Sequence, residues 1–150
     1  MSFQKIIAWV LVVIWMGVIF SFSAQVANKS NQLSTGITEI IAKTVQKVVP
    51  QADLKIKNIN HLIRKNAHFF VYLVLGLLVA YALKTLGVHG FKAFFIGLVF
   101  CIIYAILDEL HQMYVPGRGP GLKDVLIDSA GASVGICTFM IIYYLLKKQI

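Results

Sequence analysis

Charge is what this sequence has least of. Charged residues make up 13% of its 150 positions and hydrophobic ones 59%, at a mean hydropathy of +0.80. A soluble domain carries about 25% charged residues, so an ordinary globular fold does not fit. Acids are the scarcer sign, six Asp/Glu against fourteen Lys/Arg, for a formal charge of +8. Only two cysteines occur, Cys101 and Cys137, with no CxxC or Cys/His spacing. That excludes a disulfide framework and a structural zinc site, and leaves both as small apolar fillers. Also missing are an HExxH motif, a nucleophile elbow, the paired-glutamate pattern of one membrane-protease family, internal repeats and low-complexity tracts. No aromatic-studded basic sheet or finger spacing points to nucleic acid. The positive charge is read as contact with anionic lipid or phosphate headgroups.

What is abundant is apolar sequence, in four blocks at Ile6–Phe22, Ala67–Leu86, Phe91–Leu107 and Val125–Leu146. Each approaches the ~17–25 residues that a helix needs to cross the bilayer core. The spacing predicts an all-α integral membrane four-helix bundle, one domain over 1–150, with spans at about 6–23, 66–86, 91–110 and 124–146. A buried soluble core is the competing reading. The first block resembles a signal-peptide apolar region but is longer than the usual ~7–15 residues, so it is read as an uncleaved helix.

The long connection between the first two spans has an order of its own. Ile37, Ile40, Ile41, Val45 and Val48 recur at helical spacing, with Glu39, Lys43 and Lys47 stacked on the other side up to Pro50. This predicts an extra amphipathic helix lying in the membrane interface, or else docking on the bundle as a soluble helix. Asn60 is available as N-cap of the second span, on which His61, Arg64, His68 and Tyr72 share one stripe. The short, lysine-bearing link of residues 84–92 makes spans two and three antiparallel neighbours. Between spans three and four, Pro116-Gly117-Arg118-Gly119-Pro120-Gly121 dictates a tight irregular turn. Asp124, Asp128, Gly131 and Gly135 then share one helix face, a small-residue strip that aims both aspartates into the bundle.

Ionisable groups at the edge of hydrocarbon are costly and mark functional positions by default. The third span ends in Asp108-Glu109-Leu110-His111-Gln112. At ~3.6 residues per turn Asp108, His111, Gln112 and Tyr104 share a face, and Glu109 points about 100° away. Up-down-up-down topology collects Ser21, Ser23, Gln25, Arg64, His68, Asp108, Glu109, His111, Gln112, Arg118, Asp124 and Asp128 on one side. The plainer reading of residues 108–112 is a helix end surfacing into water. Lysines 5, 84, 92, 147 and 148 occupy the other side, without an acid, which favours cytoplasmic termini. The long-loop side holds nine Lys/Arg against these five, so the positive-inside rule does not decide the matter alone.

Ordered along the chain, these motifs are Ser23-Ala24-Gln25 with Ser30 and Ser34, and Arg64-Lys65-Asn66-Ala67-His68-Phe69 with Tyr72 and Gly76. They continue with Asp108-Glu109-Leu110-His111-Gln112 and Pro116-Gly117-Arg118, then Asp124 through Gly131 with Gly135. The set resembles the VanZ-like family over nearly the whole chain, departing at Ser129, where threonine is common. The resemblance implies a small bacterial membrane protein of a family whose namesake is associated with resistance to teicoplanin and other lipoglycopeptides, antibiotics that bind cell-wall precursors. It supplies a phenotype class, not a reaction.

The residues leave several chemistries open. His68 facing a carboxylate suits a general base or proton relay, or a plain packing histidine. Candidate catalytic groups are His68, Asp108, Glu109, His111, Asp124 and Asp128. Candidate binding groups are Arg64, Lys65, Gln112, Arg118, Ser23 and Gln25. Arg118 suits bidentate phosphate or a structural salt bridge. Two histidines and the acids include zinc-ligand types, but no motif specifies a metal and no cofactor is assigned. Ser23, His68 and Asp124 can be drawn as a nucleophile system, again without a supporting motif. His61 and His89 are read as unremarkable interfacial residues. The expected function is binding or processing of a lipid-linked envelope precursor such as a polyprenyl phosphate. The partners are membrane lipids and no nucleic acid, with the oligomeric state open, in a bacterial cytoplasmic membrane with both termini inside. The alternatives are a non-enzymatic shielding protein or a small carrier, in which the cluster is a structural ion-pair network.

Overall fold

The computed structural model describes residues 2–24, 56–116 and 121–148, with side chains in the second segment from Lys65 onward. Four helices account for nearly all of it: α1 (Phe3–Ser23), α2 (Ile56–Thr85), α3 (Gly90–Gln112) and α4 (Leu122–Lys148). There is no strand among the described residues. Phe3–Ser23, Lys65–Thr85, Gly90–Gln112 and Leu122–Lys148 are each long and apolar enough to cross a membrane. The chain is therefore an all-α, multi-pass bundle, as its hydropathy predicts. α2 starts at Ile56, before Asn60, so Asn60 lies inside the helix and does not cap it. The amphipathic segment at 37–48 lies outside the described residues.

α2 is the hub, packing on α1, α3 and α4, whereas α1 and α4 do not touch among the described residues. The bundle is inverted relative to a soluble one. Large apolar side chains such as Val13, Phe95, Ile103, Leu126 and Ile141 face outward, and much of the core is small: Ala8, Ala82, Ala93, Ala105 and Ala132. Lipid is as apolar as leucine, so close packing and buried polar bonds hold such helices together. Two of those bonds tie α1 down. Trp15 Nε1 donates to the Val71 carbonyl at 2.9 Å, and Tyr104 Oη donates to the Met16 carbonyl at 2.6 Å. Each accepting carbonyl lies within a helix, so an aromatic side chain bridges one helix to the next backbone.

The end of α2 is a Schellman motif. Gly87, at φ +83°, lets Val88 N–H reach the Leu83 carbonyl at 3.1 Å while Gly87 N–H meets Lys84 at 3.0 Å. Val88 then packs back on the core, which turns the chain directly into α3. Spans two and three are neighbours as the short link predicts. Of the cysteines, Cys101 is buried as expected, but Cys137 faces outward.

The tightest contact is between α2 and α4, which run parallel. A Cβ added to Gly131 would collide with the Phe69 carbonyl, and one added to Gly135 with the Leu73 carbonyl. Gly76 stands in the same relation to Ala132. Backbone, unlike a flexible side chain, cannot step aside. We predict that Gly135→Ala destabilises the purified protein by about 1–3 kcal/mol through overpacking. Gly17 has nothing near its position, so Gly17→Ala should be neutral or stabilising by up to about 1 kcal/mol. Thermal unfolding in detergent should show these opposite signs.

Candidate functional site

The strip of Gly131 and Gly135 continues toward the start of α4 as Asp128 and Asp124, and the helix faces α2. Close backbone approach therefore presses Asp128 into the bundle, where it is fully buried. Its Oδ1 lies 3.3 Å from His68 Nδ1 on α2. This is a charge contact rather than a well-directed hydrogen bond, and neither carboxylate oxygen has a hydrogen-bond partner among the described residues. Asp124, one turn earlier, is only half-buried, so it points inward less completely than Asp128. Asp108, Asp124 and Asp128 all lie within electrostatic reach of His68.

A second polar group joins α1 to α3. Ser23 Oγ donates to Asp108 Oδ2 at 2.6 Å, and Gln112 Nε2 reaches the same oxygen at 3.1 Å and Ser23 Oγ at 3.3 Å. Asp108 and Gln112 share a face because they are one helical turn apart, as the sequence indicates. His111 belongs to that side too, but its ring stacks on Phe20, centroids 4.2 Å apart and 29° between planes. Phe20 is the residue that sequence reading missed. Its only signal is that it precedes Ser23 by three positions, hence shares its face.

Glu109 points elsewhere, as its position on the helix requires. Its Oε2 accepts the Gly121 N–H at 2.7 Å, at the entrance of α4. It thus supplies one of the acceptors that the start of a helix lacks, and anchors the turn after α3. No sequence motif announces this bond, because the partner is a backbone group twelve residues away.

Tyr72 sits between the two halves. It is fully buried on α2, within electrostatic reach of both Asp108 and Asp128, and its ring lies 6.3 Å from that of Tyr104. Its hydroxyl has no hydrogen-bond partner among the described residues. The same holds for Asp108 Oδ1, Glu109 Oε1 and His111 Nε2. Buried polar atoms are nearly always paired in native proteins, so this concentration of unsatisfied ones at one end of the bundle is unusual.

Of the expected residues, the structure joins Ser23, Asp108 and Gln112 in one group and His68 with Asp128 in another. Glu109 and His111 lie beside them, engaged with Gly121 and Phe20. Lys65 is half-buried at the membrane end of α2. Ser21 is not part of the cluster; its hydroxyl bonds back to the Gly17 carbonyl at 2.8 Å on an exposed surface. Gln25, Arg118 and the side chains of His61 and Arg64 lie outside the described residues. The drawn Ser23–His68–Asp124 system is not assembled, since Ser23 bonds Asp108 and His68 meets Asp128. No three His, Cys, Asp or Glu side chains converge on a common metal position among the described residues.

The VanZ/LLP1 family model matches residues 8–144. The chain belongs to the VanZ/LLP1 family. No curated protein and no solved structure matches it. In this VanZ/LLP1 member the family match spans all four helices, so the polar cluster lies wholly inside the matched region.

Ser23→Ala removes a buried donor from Asp108 and should cost about 1.5–3 kcal/mol, the range for hydrogen bonds to charged groups. Ser21→Ala removes an exposed back-bond and should change stability by less than about 0.5 kcal/mol. Unfolding midpoints of the two purified variants test the difference.

Proposed function

We propose that this VanZ/LLP1 protein holds a cell-envelope lipid-linked precursor, such as a polyprenyl phosphate, at the polar end of the bundle, and that it belongs to the teicoplanin-type resistance class. The observation that supports the reading is the group of buried, unsatisfied polar atoms from Tyr72, Asp108, Glu109, His111 and Asp128 beside His68. Burying a carboxylate without a partner costs several kcal/mol. A headgroup with its counter-charges and water would satisfy these atoms. Arg64, four residues before His68 in the sequence, and Arg118, six after Gln112, are the proposed phosphate ligands. His68, paired with Asp128, is the proposed base if a bond is made or broken.

A second reading, a non-enzymatic shielding protein or small carrier, has its own observation. Asp108 Oδ2 and Glu109 Oε2 are committed to bonds that tie helices together. On that reading the cluster is structural, and a charge exchange, Asp128→Arg with Arg118→Asp, restores function. On the first reading it does not.

We expect Asp128→Asn and His68→Ala each to reduce polyprenyl phosphate binding by purified protein at least about tenfold, the cost of removing one member of a charged pair. Teicoplanin susceptibility of a strain carrying the variants should shift in parallel. Unchanged binding and susceptibility for both variants would remove the proposal.

We further propose a bacterial cytoplasmic membrane location with both termini inside, on the strength of the acid-free lysines near the ends of α1, α2, α3 and α4. A fluorescent protein fused after residue 150 should glow and an alkaline phosphatase fusion there should be inactive. The reverse pattern would invert the topology.

A further inference from the structure

The opposite end of the bundle also holds a site. A cavity of about 330 Å³ opens between the end of α2, the start of α3 and the end of α4, within the size range of small-molecule pockets. Its floor is apolar. Its rim carries Lys84, His89 and Lys147, with Tyr143 and Tyr144 between them and no acid among the lining residues.

The rim is organised. Lys84 Nζ sits 5.0 Å from the centroid of the Tyr143 ring, a cation–π arrangement. That ring is stacked with His89, 6.2 Å away and 7° from parallel, and with Phe139, 6.3 Å away and 2° from parallel. Tyr143 therefore holds a lysine from the last turn of α2 and a histidine from the α2–α3 connection against α4, whose last turn contributes Lys147. His89, unremarkable in sequence, gains this role because the turn built on Gly87 carries it back over α4. An ammonium on a ring face keeps its N–H groups available to an anion.

We propose that this cavity is a binding site for the headgroup of an anionic phospholipid of the surrounding leaflet. The ligand class follows from three features together. The rim charge is positive and uncompensated by acid, the cavity walls are apolar and aromatic, and the mouth lies at the helix ends, where a phosphate meets acyl chains. A phosphodiester sits between Lys84 and Lys147, with His89 beside it, and its glyceryl and acyl portions lie along the apolar floor and the outer helix faces. Basic pockets between membrane helices recognise acidic headgroups on these grounds. The site does not depend on the function of the polar cluster at the other end.

The test is native mass spectrometry of the full chain in neutral detergent, titrated with phosphatidylglycerol or phosphatidylcholine. Wild type should retain phosphatidylglycerol at least about tenfold more tightly, and the double variant Lys84→Gln/Lys147→Gln should lose most of that preference, at about fivefold per lysine. The double variant Lys5→Gln/Lys92→Gln removes the same charge from the same side outside the cavity and should keep the preference. Both pairs are solvent-side residues near helix ends, and an unchanged unfolding midpoint confirms the fold. Tyr143→Leu, which removes the ring under Lys84, should weaken phosphatidylglycerol binding without changing net charge. Equal retention of the two lipids by wild type would overturn the proposal. So would an equal loss in both lysine pairs, which would show diffuse attraction. Displacement of the lipid by millimolar inorganic phosphate would also overturn it, by identifying a site for free anions; failure of phosphate to displace supports the lipid source.

Discussion

The contact on which the rest of this bundle depends is the close, parallel approach of α2 and α4 over Gly131 and Gly135. Without side chains at those two positions, the carbonyls of Phe69 and Leu73 lie directly against the α4 backbone. The same helix face carries Asp128 one turn earlier, so the geometry that seats the glycines also buries the carboxylate against His68. Packing and polar chemistry are thus not separable here. A change that pushed α4 outward would pull Asp128 from its histidine.

α3 is the element that reaches both sides of the site. Successive residues on a helix point about 100° apart. Asp108 therefore faces Ser23 on α1, and its neighbour Glu109 faces Gly121 at the entrance of α4. Through α3, two adjacent acids connect α1 with the entrance of α4, two helices that do not touch among the described residues. The arrangement ends in a set of buried polar atoms with no partner among the described residues, held by a scaffold of small core residues. In a hydrocarbon setting that is an expensive place to leave carboxylates.

Much of this was legible without coordinates. Four apolar blocks announced four helices, because only a helix satisfies its own backbone in lipid. The periodicity of Asp124, Asp128, Gly131 and Gly135 announced one inward face, and the spacing of Asp108 and Gln112 a second. Partner choice was less legible. Ser23, His68 and Asp124 could be drawn together without a supporting motif, since periodicity gives the direction of a side chain but not which helix stands opposite. Asn60 read as a cap because of its residue type and its place at the head of the second span, yet the helix begins at Ile56.

Sequence by itself determined the architecture, the polar end and the family, because hydropathy period, helix angle and ordered motifs are local properties of the chain. Tertiary structure decided which carboxylate meets the histidine, which one caps α4, and that His89 closes a cavity at the far end. Those outcomes depend on how deeply two helices approach and where a turn redirects the chain. Van der Waals contact between backbones sets both distances, and a one-dimensional pattern does not contain them.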